Sequence, residues 1–590
     1  MAGQPKAPFY LAIVAVVIGL IGFAMFRADI FAPKANPKGQ GGDIDPSKLG
    51  GKKGTAESAA KAEAHDDEGV TTVKEYTFVS AQRLPKIQGV ANYQPMKDNT
   101  IRFALNVWAG WAPIIYANDG FSAGKVWKTA DGKEFKVELV LIDDPTKMRD
   151  TYSSGGVHIG WATLDMMPIL MEAFVDDSGK PIDSRIMPRI YQQVDWSNGG
   201  DGIVARKNIE SVGQLRTKTV VFAQQSPSHY FLLNMLVNAG VQPREVNFKY
   251  TPTAFEAATA FNTDKSIAAA VSWAPDIYTL SEQKENRMLV HTGTANKLIA
   301  DVWFARADFA HDHPDLIEGI VRGIFDAMVD LKQDAAKQKC AKLMATGYTL
   351  KEADALGMMG DAHSTNWAEN YQFFVNQNNP TNFERVWNQA YYLYKQTGVI
   401  KAPQVSFDQV MDNSIIRKLG DEEKYRSQKD EHTIQFVPKS TAQIVGAESE
   451  ILTNTVIIHF FPNSWDLHKT VTKQDGDKTI ETLYDPKVDL VIEEIGKLAG
   501  GFGNARIIIE GHTDSTMREK LLDDSVVKEL SRNRANAVKE AVIKKFVDTL
   551  DANKFNVVGT GWDRPADPTD PNNHAKNRRV EVKIYTAEQQ

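Results

Sequence analysis

The chain has 590 residues, 42% hydrophobic and 24% charged, with a net charge of -7; this is a globular composition, too long for one core and long enough for three or four units at about 100 to 200 residues each. The slight acidity gives no basis for a nucleic-acid partner, because phosphate recognition needs a concentrated basic face. Cys340 is the only cysteine, which excludes an internal disulfide and a thiolate metal cluster.

In chain order, residues 7–26 (APFYLAIVAVVIGLIGFAMF) carry no charge and are bracketed by Lys6 and Arg27. At 1.5 Å per residue such a helix matches the ~30 Å hydrocarbon core of a bilayer. It exceeds a usual signal-peptide core and no A-x-A site lies close behind it, so 1–26 reads as a cytoplasmic stub and an uncleaved transmembrane anchor. Residues 27–98 begin with a Gly-, Lys-, Ala- and Pro-rich run almost free of large apolar side chains. They read as a flexible tether, because such a run buries too little surface to offset its ordering entropy.

From 99 to 401 the chain alternates apolar runs (IRFALNVW, FKVELVLI, HIGWATL, GIVARK, TVVFAQ, AAAVSWAP, NRMLVHTG) with helical patterns, which predicts an α/β body with parallel sheets. Residues 402–449 are polar and charged and read as a linker. From 450 to 590, TVIIHFF, ARIIIEGH, FNVVGTGW and RRVEVKIY read as strands, and DPKVDLVIEEIGKLAGGF and LSRNRANAVKEAVIKKFVDTL as helices, giving a smaller α+β domain.

In that last domain IIIEGHTDST runs a buried strand into a polar tip, where side chains are positioned without being buried. Ser531 suits the cap of the second helix, which places Arg534 in the first turn, against the dipole. Arg534 and Asp514 then face one another, a guanidinium fork for a carboxylate and a carboxylate for an ammonium; an ordinary surface salt bridge is the plainer alternative. The ordered motifs G-H-T-D, L-S-x-x-R-A (Leu530 to Ala535), G-x-G-x-x-x-P (Gly559 to Pro565) and N-R-R-V-E (Asn577 to Glu581) resemble the OmpA-like peptidoglycan-binding domain. The resemblance implies that Asp514 and Arg534 hold the diaminopimelate of a peptidoglycan stem, with Thr513, Asn577 and Arg578 as secondary contacts. Ser515, Thr516 and Val527 stand where the family usually has other residues.

In the central body, VDWSNGGDGIVARK combines acids and glycines between two apolar runs, and VVFAQQSPSHYFLLNMLVNAG is a strand, a polar loop and a helix beginning near Ser226. With WAGWAP, GGVHIGWATLD, SWAPD and WFARADFAHDHPDLIEGIV, these resemble the periplasmic solute-binding proteins of nitrate, sulfonate and taurine ABC importers. That implies two α/β lobes joined by hinge strands, with crossings near Gln193 to Gly200 and Asn296 to Phe304, and ligand caught between them. The candidate solute-binding residues are Trp111, Asp165, Ser197, Asn198, Asp201, Ser226, Ser228, His229, Trp273 and Asp276. The ligand's charge stays open: the helix start at Ser226 favours an anion, whereas the acids and aromatic rings suit an amine or cationic ring.

No G-x-x-x-x-G-K-[ST], H-E-x-x-H or C-x-x-C pattern occurs, so neither an enzyme nor a cofactor is expected. His311, Asp312 and His313 precede Pro314 and read as a solvated helix start rather than a metal site. The expectation is a protein of the inner membrane whose bulk lies in the periplasm, with peptidoglycan, a small solute and a membrane protein as partners. A stator-like or Tol-like partner of a proton channel and a ligand-free envelope tether are the alternatives; the first usually carries an acid inside its span, whereas Asp29 lies outside.

Overall fold

The computed structural model describes residues 78–586 apart from 80–84, 88, 448–449, 462, 476–477, 517 and 519–523. The anchor at 1–26 and most of the tether at 27–98 lie outside the described residues. Among the described residues no helix is long and apolar enough to cross a membrane.

The central body contains strands β1 (Thr100–Leu105), β2 (Trp127–Lys128), β3 (Glu134–Leu141), β4 (Ile159–Thr163), β5 (Pro188–Ser197) and β6 (Asp201–Arg206), then β7 (Thr219–Ala223), β8 (Asn247–Thr251), β9 (Ala269–Trp273), β10 (Asn286–His291), β11 (Ala300–Arg306) and β12 (Ala362–Ser364). They form two sheets, ordered β12-β5-β11-β4-β1-β3-β2 and β10-β6-β9-β7-β8. Each sheet is the floor of one lobe. Residues of β4 and β11 are buried along their whole length, as expected of central strands covered on both faces. By contrast β3, nearer the edge, alternates buried and partly exposed positions.

The sheets are mixed rather than parallel. β1 pairs β3 and β4 in parallel, as do β7 with β8 and β9, while β4 with β11, β5 with β11, β6 with β9 and β6 with β10 are antiparallel. Each of these four antiparallel pairs involves a strand that joins the lobes, as does β12 on β5, while the short edge strand β2 pairs antiparallel with β3 away from them. The chain leaves the first sheet at β5 and enters the second at β6 after only residues 198–200, then returns from β10 to β11 through residues 292–299. The first crossing falls within the span marked from sequence, Gln193 to Gly200, whereas the second begins four residues before the expected Asn296 and ends where β11 starts at Ala300; neither has room for the helical crossover that a parallel neighbour needs.

Residues 402–449 divide into two parts. Val405, Val410, Ile416, Leu419 and Tyr425 belong to the first lobe's core, and the indole N–H groups of Trp387 and Trp367 donate to the carbonyls of Val405 and Ile416 at 2.9 and 2.8 Å. Further on, Phe436 receives the Arg506 guanidinium over its ring at 5.3 Å and its N–H donates to Asp551, so this stretch lies on the C-terminal domain. Apolar side chains in a charged segment, too sparse to show a period, account for the packing.

The C-terminal domain holds β13 (Glu450–Val456), β14 (Thr470–Asp475), β15 (Lys478–Leu483), β16 (Arg506–His512), β17 (Phe555–Gly561) and β18 (Val580–Tyr585). A sheet ordered β13-β18-β16-β17 packs beneath helices Val488–Gly501 and Ser525–Lys545, and β14 and β15 form a separate hairpin. The first strand begins earlier than TVIIHFF suggests: Ile457 to Phe461 leave the sheet, and the N–H of His459 is taken by Asp485 Oδ2 at 2.9 Å. The second long helix also starts earlier than expected, at Ser525. Ser531 is therefore not a cap; its hydroxyl donates to the Lys528 carbonyl and accepts the Gly561 N–H at 3.0 Å, stitching helix to β17. Arg534 consequently sits in mid-helix, where the dipole penalty of a first-turn cation does not arise.

The three folded parts share one surface. One apolar cluster runs from the second lobe (Val290, Leu298) into the C-terminal core (Ile495, Phe502, Ile507) without interruption. Around it, Asn296 donates to Asn504 Oδ1 and Asn504 to the Gly293 carbonyl, both at 2.8 Å. The Lys297 N–H donates to the Gly501 carbonyl at 3.1 Å, and Arg385 of the first lobe pairs with Glu493 at 2.5 Å.

Candidate functional sites

The first site lies where β16 ends. Ile507, Ile508 and Ile509 anchor the strand in the core, and Gly511 and His512 carry it to Thr513 and Asp514 at the rim. Asp514 Oδ1 accepts from the Thr516 N–H at 2.9 Å, which fixes the carboxylate as a local turn cap. Its other oxygen meets Arg578 Nε at 3.1 Å. Arg534 is 8% exposed; its Nε donates to the Ser464 carbonyl at 3.0 Å and its guanidinium lies 5.0 Å from the Phe460 ring centre. Burial, reinforced by neighbouring Arg578 and opposed by Asp514, pulls its pKa down to about 10, leaving it charged at neutral pH.

Ile458, Phe460, Tyr484, His512, Arg534 and Arg578 line a small pocket here. Asp514 and Arg534 thus flank one rim, with Arg578 placed between their charges. An incoming ammonium can replace Arg578 at Asp514, while the Arg534 and Arg578 forks suit a carboxylate. Thr513 Oγ1 is buried with no partner among the described residues. Asn577 does not line the pocket: its side chain accepts the Ala566 N–H at 2.8 Å and donates to the Pro571 carbonyl at 2.7 Å, pinning the loop behind the site. The loop from Ile457 to Ser464 was not singled out in sequence, because its role depends on β13 ending at Val456.

Beside Arg564, Lys583 and Arg579, the residues Glu510, His512 and Glu581 present ligand-type atoms within 4.8 Å of one another. Both carboxylates already face cations: Glu510 meets Lys583 at 2.9 Å and Arg564 at 3.1 Å, and Glu581 meets Arg579 at 2.7 Å. A metal ion would enter against three fixed positive charges, so the donor set fits an internal ion network better than a metal.

The second site lies between the lobes, beside the two crossings. Of the residues proposed from sequence, Asp201, Ser226 and Trp273 line it. The remainder surround it without lining it. Trp111 is fully buried and donates from Nε1 to Asn106 Oδ1 at 2.7 Å, thereby orienting a residue that does line the cavity. Ser197 bonds Asp201 Oδ2 at 2.6 Å and Thr292 at 2.8 Å, and Thr292 Oγ1 also receives the Gly199 N–H, so this knot ties the two crossings together. The Asn198 N–H donates to the Asp361 carbonyl at 2.7 Å.

Asp165 and Ser228 are fully buried in the lobes, and Asp276 nearly so. His229 packs among Phe222, Tyr250 and Tyr394, and burial pulls its pKa down to about 3. Trp108, Trp161 and Asp301 do line the cavity. The two tryptophans stand inside motifs quoted from sequence, and a ring near a strand end is the signal that could have selected them. Asp301 offered none, because its significance comes from register: it is the cross-strand partner of Asp195 on β5.

Electrostatically the cavity is one-sided. Burial raises Asp201 to about 7, against the Ser197 hydrogen bond. It raises Asp195 to about 6, opposed by hydrogen bonds from Asp301 and Trp108. Asp301 is driven well above the carboxylate range by burial and then by Asp195 beside it, so the two carboxyls share a proton. Burial also raises Asp165 far above its usual value. These shifts are what buried, uncompensated carboxyls must show.

Residues 475–579 match the OmpA family model. Over 102 residues the chain is 36% identical to outer membrane protein Omp38 of Acinetobacter baumannii, a match covering 17% of this chain and 26% of Omp38; the chain therefore spans about a quarter of that relative's length. Over 260 residues it is 25% identical to the taurine-binding periplasmic protein of Escherichia coli, covering 42% of this chain and 72% of that one. The structure also aligns with the periplasmic aliphatic sulphonate binding protein SsuA from Escherichia coli at 16% identity and a TM-score of 0.41, covering 58% of this chain and 98% of SsuA.

Proposed function

From a chain whose C-terminal domain is OmpA-like and whose body is built like a solute-binding protein, we propose a periplasmic component that binds a small solute between its lobes and holds peptidoglycan through its C-terminal pocket. The charge-free segment 7–26 moors it in the inner membrane. With lipid at one end and cell wall at the other, the solute domain is confined near the membrane, where it serves uptake or sensing. The observation that carries the reading is the presence of two separate pockets of the right kind in one chain. One is an interlobe cavity beside two strand crossings; the other sets Asp514, Arg578 and Arg534 along one rim.

The wall-binding half is tested by sedimentation with purified sacculi. Asp514→Ala combined with Arg534→Ala is expected to lose co-sedimentation while the melting temperature of the solute body holds; undiminished pull-down refutes the clamp. The anchor is tested by fractionating cells expressing the full chain and a form lacking 1–26. Both recovered equally in the soluble periplasmic fraction would sink the mooring.

A further inference from the structure

The charge of the solute follows from what the cavity offers and from what it has already used. Its described lining contains Asp143, Asp201 and Asp301 but no Lys, Arg or His. The helix Pro227–Asn238, whose start borders the cavity, is the feature that could favour an anion. Several of its donors are engaged, although Ser228 Oγ, buried behind the lining, has no partner among the described residues. Pro227 has no N–H, the N–H groups of His229 and Tyr230 turn back to the Ser226 carbonyl, and Ser226 Oγ donates to the Ala223 carbonyl at 2.8 Å.

The tryptophans point the same way. Trp108 Nε1 donates to Asp195 at 2.7 Å and Trp161 Nε1 to the Ile142 carbonyl at 2.9 Å, so toward the cavity they offer ring surface rather than N–H. Trp273 Nε1 is buried and has no partner among the described residues, and neither has Thr163 Oγ1 in the same lining, which leaves donors for an acceptor on a ligand. Phe255 stands edge-on to Trp273 at 5.5 Å between centres. Aromatic walls with carboxyl groups and no fixed cation are the surroundings in which an organic ammonium is attracted both by ring faces and by charge.

We propose that the interlobe cavity takes a small organic cation, an alkylammonium solute carrying one hydrogen-bond acceptor, with its charge toward Asp201 and Asp301, its carbon frame against Trp108 and Trp161, and its acceptor on Trp273 Nε1. This rests on the reading of the body as a solute-binding domain and fixes the chemical class of the solute. It departs from the sulfonate chemistry in SsuA's name. The elevated pKa values of Asp195 and Asp201 fit a site whose compensating charge arrives with the ligand.

The test is calorimetric titration of the full chain in detergent at pH 8 with ethanolamine, choline, taurine and methanesulfonate. Ethanolamine or choline is expected to bind, and Asp301→Asn or Asp201→Asn to weaken it at least tenfold. Trp273→Leu, which keeps an apolar wall, gives a second measure should the aspartate variants fail to fold, and is also expected to weaken binding tenfold. Methanesulfonate binding more tightly than ethanolamine overturns the cation class while leaving a solute-binding body. Taurine binding unchanged by Asp301→Asn does the same, since taurine would then be read through its sulfonate. Silence from all four probes at millimolar concentration overturns this inference and the solute-binding reading together.

Discussion

Gly511 is where the wall-binding pocket depends on a single missing side chain. It lies on β16, flanked in register by Gly559 on β17 and Val580 on β18, so its backbone is held from both sides. A Cβ built on it would overlap the carbonyl oxygen of Ser531 in the overlying helix and come within 3.4 Å of Ala535 Cβ. The obstacle is backbone, and the same helix is stitched to β17 at Ser531 by the Gly561 N–H; neither partner can turn aside as a flexible side chain would. Gly511→Ala therefore forces the helix off the sheet. The expected cost is about 3 kcal/mol, the upper end of ordinary overpacking. At roughly 3 °C per kcal/mol for a domain of this size, the melting temperature falls by about 9 °C. Arg534 lies one turn beyond Ser531 and would move with the helix, so sacculus binding should weaken more than a stability change predicts. Scanning calorimetry and sedimentation at 20 °C measure the two effects. A variant with unchanged melting and full binding would show that helix and strand are not packed as described.

Three shorter predictions follow from the same observations. Affinity for an amine should rise from pH 5 to pH 8 and level off above, because Asp201, raised to about 7, must give up its proton to attract a cation; the charged groups around it are Asp195, Asp361 and Asp301, with Asp165 beyond Asp301 and His363 beyond Asp195. A flat profile by calorimetry refutes this. The sign for the empty protein is opposite: a carboxyl with a raised folded-state pKa favours the fold below about pH 4, and that contribution is lost as pH rises toward 7. Glu493→Ala removes the partner of Arg385 and Lys545, a part-buried network expected to contribute roughly 1 to 3 kcal/mol. It should raise hydrogen exchange around Pro380 to Arg385 and leave Gly293 to Leu298 protected; no change at either place contradicts the described interface. Finally, Cys340 is fully buried with its thiol pushed up to about 12 by burial. It should resist alkylation at pH 8 until the chain is unfolded, and rapid labelling of the folded protein would overturn its placement.

Strands were legible in the sequence where a β-branched run fills a central position, as in TVVFA and RIIIEG, because burial on both faces leaves a continuous apolar signal. The hairpin of β14 and β15 was not: Thr470 to Asp475 and Lys478 to Leu483 are mostly polar in sequence, with too few apolar residues to mark a strand. Periodicity also misplaced Ser531, since the apolar stripe of Ala535, Val538 and Val542 begins well after Ser525, where the helix actually starts. Site residues divide on the same principle. Asp201, Ser226 and Trp273 stand at strand or helix ends within polar loops and could be selected one by one. Asp301 could not, because only pairing with Asp195 across β5 and β11 gives it meaning.

The contacts of the C-terminal domain constrain how the lobes can move. It touches the second crossing through Asn504 and Gly501, the second lobe through a continuous apolar cluster, and the first lobe chiefly through Glu493 on Arg385 and through Gly500, where a Cβ would sit 2.7 Å from Pro380. Rotation of one lobe against the other cannot preserve all three attachments, since they lie on both sides of the hinge. Apolar burial between the second lobe and this domain is worth far more than one part-exposed ion pair. Should the lobes rotate, the attachment expected to open first is the one at Arg385 and Pro380, with the domain carried by the second lobe. A load on the C-terminal pocket would then be transmitted to the side of the cavity built by Asp201, Ser226 and Trp273, while Trp108, Trp161 and Asp301 stayed with the first lobe.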